Sequence, residues 1–136
     1  MELVIASAEE FVRLRASQDP DDFARAAQEP ATHEVWLEVI RDHPDLRRWV
    51  AHNKTLSSEL LRILAADLDP AVRWVVAMRR AAPPEVLRAL AEDPDASVRG
   101  RVATNAKTPE VVLRQMTQDP DATVRAAANE RIQRFR

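Results

Sequence analysis

Three groups of residues in this 136-residue chain have types and spacings that chemistry uses. Carboxylates stand two apart at Asp93/Asp95 and Asp119/Asp121, a pairing that general acid–base chemistry uses. His33-Glu34 opens like a zinc-binding helix, and Arg47, Arg73, Arg99 and Arg125 offer guanidiniums to phosphate or carboxylate. None of these reaches a catalytic pattern. The carboxylate pairs recur along the chain in turns with the pattern of helix N-caps, which is capping and not acid–base chemistry. Position 37 is Leu37 where a zinc helix needs its second histidine, and no two histidines have metal-ligand spacing. His43 falls in a turn, in a slot taken elsewhere by Pro94 and Asp95, and His52 shares its position with Met78 and Thr104. The chain has no Cys, which removes thiolate nucleophiles, disulfides and Cys-held metals. Its single Gly, Gly100, rules out a phosphate loop and a nucleophile elbow. No catalytic residue, cofactor or metal is expected, and the chain does not read as an enzyme.

What positions these residues is a repeat. Asp67–Arg73, Asp93–Arg99 and Asp119–Arg125 align without gaps at a spacing of 26 residues. The same register pairs Val76 with Val102, Ala77 with Ala103, Leu87 with Leu113 and Leu90 with Met116. Shorter, more diverged copies begin at Asp19 and Asp42, and Thr32 to Leu37 echoes Thr108 to Leu113. About five units of 23–26 residues therefore cover the chain from residue 7.

Each unit reads as two short helices. The first, as in Pro109 to Gln118, opens on Pro, Ser or Thr followed by Glu. Ser7 to Glu10 fits a capping box. The Asp-Pro-Asp turn ends this helix and caps the next, since proline disfavours helix in the residue before it. The second helix, as in Ala96 to Thr104, puts Val98, Val102 and Ala103 on one face. Helices this short need stacked neighbours to be stable. The last, Val124 to Phe135, is longer and more polar, as a terminal cap should be, and its Arg131, Arg134 and Arg136 suit a helix C-terminus.

The motif Leu-Ala-x-Asp-Pro-Asp-x-x-Val-Arg-x-x-Val-Ala-x-Asn stands here from Leu90 to Asn105. It resembles the leucine-rich-repeat variant family and, more broadly, HEAT-like helical repeats, most clearly over residues 55–131. The resemblance implies an all-α, right-handed solenoid in which the second helix of a unit is often 3₁₀. A founding member of that family holds an iron–sulfur cluster on cysteines, a cofactor this Cys-free chain does not inherit. One domain is expected over 1–136, with residues 1–30 as a diverged N-terminal cap and 124–136 as the capping helix.

Residues constant in every repeat usually serve the repeat. The Arg47, Arg73, Arg99, Arg125 ladder is accordingly read as structural, each arginine reaching an Asp or helix-end carbonyls of its own or the next unit. Specificity is sought where the repeat varies. On the second helices, Arg48, Trp49, His52, Trp74, Met78 and Arg101 lie away from the Val-Ala stripe, and stacking would gather them into one partner-binding patch, with Arg48 placed to meet Trp74. The bland alternative is that both tryptophans fill gaps between repeats. Trp36 aligns with Val112 and reads as core.

Net charge is −2 and the calculated isoelectric point is about 5.9, which argues against a general polyanion binder. Charge is nonetheless uneven: residues 1–30 hold seven acids and three bases, residues 61–136 ten acids and thirteen bases, and eighteen of the twenty bases are Arg. There is no signal peptide or membrane span, so a bacterial cytoplasmic protein is expected. The reading is a non-enzymatic protein-binding module of adaptor, regulator or immunity type. Nucleic-acid binding is the alternative, and an exposed Trp/Met patch would also suit self-association.

Overall fold

The computed structural model describes residues 3–135. Among them the regular structure is all helical, with no strand. In chain order the helices are α1 (Ala8–Ala16), α2 (Pro20–Gln28), α3 (His33–Asp42), α4 (Arg47–His52), α5 (Ser58–Ala65), α6 (Pro70–Met78), α7 (Pro84–Leu90), α8 (Ala96–Thr104), α9 (Glu110–Met116) and α10 (Ala122–Gln133). A 3₁₀ turn, Pro44–Leu46, precedes α4, and the other second helices described are α-helical. The helical-repeat fold expected from the sequence is the fold observed.

The Asp-Pro-Asp turns work as paired caps. The first Asp of each, and Asp67 of the related Asp67-Leu68-Asp69 turn, accepts through Oδ1 the backbone N–H two residues on: Asp67 from Asp69 and Asp93 from Asp95 at 2.9 Å, Asp119 from Asp121 at 2.8 Å. The second Asp then caps the next helix, Asp69 receiving the N–H of Ala71, Asp95 that of Ser97 and Asp121 that of Thr123. One short motif thus closes a turn and satisfies orphan donors at a helix start. Ser7 caps α1 through the N–H of Glu10. No described residue has positive φ, so Gly100, inside α8, serves no turn.

The chain divides into two compact units, residues 1–61 and 62–136, with the boundary inside α5. In the first unit α1 packs on α2 and α3, and α4 packs on α2 and α3. Phe11 meets Trp36 edge-on, ring centroids 5.2 Å apart, and both are buried, so Trp36 is core as expected. In the second unit α8 lies between α6 and α10, with α7 against α6 and α8, and α9 against α10. Val72, Val76, Val98, Val102 and Val124 are buried there, each removing apolar surface that contributes about 1.5–3 kcal/mol.

Candidate functional site

The arginine ladder is occupied with holding repeats together. Arg73 donates from Nε to Asp93 Oδ2 at 2.7 Å and from Nη2 to Asp93 Oδ1 at 3.2 Å, while its Nη1 reaches the carbonyl of Asp67 at 2.8 Å. Arg99 repeats the arrangement one unit on, taking the Asp119 carboxylate and the Asp93 carbonyl. Arg125 reaches the carbonyls of Asp119 and Pro120, and Arg47 that of Ile40. Each guanidinium therefore caps the chain end of its own unit, and two of them clamp the next unit bidentately. The Asp93 and Asp119 pairing raises the pKa of Arg73 and Arg99, their side-chain hydrogen bonds outweighing the loss of water. A cleft lined by Asp93, Arg99, Asp119 and Pro120 is consequently built from groups already paired with one another.

A second polar ladder is equally internal. Buried Asn53 donates Nδ2 to the carbonyls of Ala26 and Glu29, and Asn105 does the same to Ala77 and Arg79. The same 26-residue register places arginine at 79 and 131. Arg131 reaches the carbonyls of Asn105 and Ala106, again one repeat back. Helix-end carbonyls that would be stranded in the core are satisfied in this way.

The varied positions differ in kind. In the first unit Arg48, Trp49 and His52 come together on α4: the Arg48 guanidinium lies 4.9 Å from the Trp49 ring centre, and His52 stacks on the same indole at 5.3 Å. Two residues that the repeat register did not single out complete the group. Arg15, from α1, sits 3.7 Å over Trp49 and 4.7 Å over the ring of Phe23, from α2. Both belong to the most diverged unit, so no alignment with a sister repeat marks them. Burial, and then the neighbouring charge of Arg48, holds the Arg15 pKa below its ordinary value. The Arg15 Nε is buried without a hydrogen-bond partner. Its aromatic neighbours supply the compensation, a cation–π contact being worth about 0.5–2 kcal/mol.

In the second unit Trp74 and Met78 stand one turn apart on α6, and Arg101 from α8 lies 4.8 Å from the Trp74 ring centre. Arg101 is the arginine over Trp74, and Arg48 is engaged with Trp49. The Arg101 Nε also lacks a hydrogen-bond partner. Trp49 and Trp74 are both half-buried.

Residues 21–80 match the family model of the Leucine Rich Repeat Variant domain. This segment, 60 of the 136 residues, is similar to the leucine-rich-repeat variant family. The match spans α2 to α6 and so includes the more diverged copies as well as the first regular one. No curated protein matches the chain, and no solved structure does. The chain carries Trp49 and Trp74 at positions where its own later repeats have Val75, Gly100 and Arg101. Among the described residues no cluster of three His, Asp or Glu is placed to hold a metal, and no helix is long and apolar enough to cross a membrane.

Proposed function

We propose that this chain is a non-enzymatic protein-binding module that engages its partner through the varied faces of its second helices. One contrast carries the reading. The residues the repeats share, such as Arg73, Asp93, Arg99, Asp119 and Asn105, spend their polar groups on one another and on the backbone. The residues that break the repeat leave half-buried tryptophans and arginines with no carboxylate on them, a composition enriched where proteins bind proteins. An adaptor, regulator or immunity-type role, exercised by masking or scaffolding the partner, follows from such a surface.

The test is affinity capture from the source organism with the wild-type chain and a Trp49→Ala/Trp74→Ala variant, circular dichroism confirming equal helix content. The reading expects a specific protein bound by the first and lost by the second. Loss of helix in the variant would mean that these indoles hold the fold, and the binding face would lie elsewhere. Nucleic-acid binding is the second reading, favoured by the ten acids against thirteen bases in residues 62–136. A DNA and RNA titration at two salt concentrations separates them, because phosphate contacts weaken steeply with salt.

A further inference from the structure

The first unit holds a cationic cluster that its own acids leave unpaired. Residues 1–61 contain twelve acids and seven bases, a net of −5, so carboxylates are plentiful there. They are used elsewhere. Arg25, on the same helix as Phe23, takes both Glu29, at 2.6 Å, and Glu10, at 3.3 Å, and Arg41 takes Asp42 at 2.8 Å. Among the described residues no carboxylate pairs with Arg15 or Arg48. Two like charges are instead held against one indole, where each makes the other harder to desolvate.

Building on the protein-binding reading above, we infer that the cluster of Arg15, Arg48 and Trp49, flanked by Phe23 and His52, receives a segment of the partner protein bearing one or two carboxylates beside apolar side chains. A guanidinium stacked on a ring has spent its face, and what remains is the edge of N–H donors that fits a carboxylate bidentately. A carboxylate placed there also relieves the repulsion between Arg15 and Arg48. Phe23, 36% exposed, supplies the apolar contact beside it. A nucleic acid fits less well. Two guanidiniums and an imidazole on Trp49 leave little ring for a base to stack on, and the surrounding charge of −5 repels an extended polyanion. A short acidic-apolar segment needs only the local field.

The test is an array of surface-bound twelve-residue peptides of varied composition, probed with the labelled full chain at about 0.15 M salt, where screening acts beyond about 8 Å. Spots of single-stranded and duplex DNA are included. The expected result is selective retention on peptides with Asp or Glu next to Leu, Ile, Val or Phe, and loss when Gln or Asn replaces the acid. Arg48→Gln, an exposed substitution, should weaken those peptides about tenfold. Arg15→Lys, which keeps the charge but loses the planar fork, should weaken them comparably while retaining helix content. Peptide binding indifferent to acids, or unchanged in both variants, overturns the inference and leaves the protein-binding reading intact. Binding to DNA in preference to every peptide overturns both, and retention on no spot overturns the inference.

Discussion

The guanidinium of Arg99 grips the carboxylate of Asp119, twenty residues on, through two hydrogen bonds of 2.9 and 3.2 Å. Asp119 at the same time accepts the N–H of Asp121. One side chain thus closes its own turn and anchors the helix of the preceding repeat. Asp119→Ala leaves a half-buried guanidinium without its partner and should lower unfolding stability by about 2–3 kcal/mol. Urea melts followed by circular dichroism measure this; a change below about 0.5 kcal/mol would show the clamp to be incidental.

The same carboxylate makes stability sensitive to acid. Burial pushes the Asp119 pKa up, but the Arg99 hydrogen bond and the Asp121 N–H outweigh it, and the net direction is down. Asp95 is lowered too, by its hydrogen bonds from the Ser97 hydroxyl and N–H. A carboxyl that is more acidic when folded lets the unfolded chain bind more protons in acid. Its contribution is complete above the unfolded value, near about 4, and is lost as pH falls through the folded one. Thermal midpoints should therefore fall as pH drops below about 4–5, and Asp119→Asn should flatten that fall. An unaltered slope in the variant would assign the acid sensitivity to other groups.

Gly100 sits within α8 at a negative φ, and a Cβ built on it meets nothing within 4 Å. Glycine costs a helix interior about 0.8–1.0 kcal/mol relative to alanine. Gly100→Ala should raise stability by that amount, read from the urea midpoint at unchanged slope. A loss of stability would mean that the apparent space is filled in solution.

The three tryptophans should separate by environment. Trp36 is buried against Phe11, so Trp36→Ala should cost about 3–5 kcal/mol. Trp74 is half-buried beneath Arg101, and its removal should cost far less. Acrylamide quenching of single-tryptophan variants gives an independent reading, with Trp36 shielded and Trp49 and Trp74 accessible. Equal shielding of all three would make the varied face part of the core.

Much of this was legible because the repeat writes the same physics several times. Ala96 to Thr104 reads as a helix from its Val spacing, and α8 has those bounds. The first-helix reading of Pro109 to Gln118 overshoots: α9 runs Glu110–Met116, since Pro109 acts as its N-cap and the chain turns at Thr117. The last helix begins at Ala122, earlier than Val124, because the cap is Asp121, and it ends at Gln133. The Val-Arg ladder was legible as structural, but which Asp each arginine takes was not, since that depends on how one unit lies on the next. Asn53 and Asn105 were visible in the motif, yet their reach to carbonyls a repeat earlier is a tertiary fact. Arg15 and Phe23 carried no signal, because their approach to Trp49 is set by the packing of α1 and α2 in a unit without a close copy.

The central claim is that the shared ladder builds the repeats and the varied face binds. It is tested most directly by measuring, side by side, the affinity for the captured protein of Arg99→Lys and of Trp49→Ala/Trp74→Ala. The ladder variant should melt at lower temperature and bind the partner as the wild type does. The aromatic variant should remain helical and bind about thirtyfold more weakly or worse, as for the loss of an interface hot spot. Full affinity in the folded aromatic variant, or lost affinity in a folded Arg99→Lys, would contradict the account.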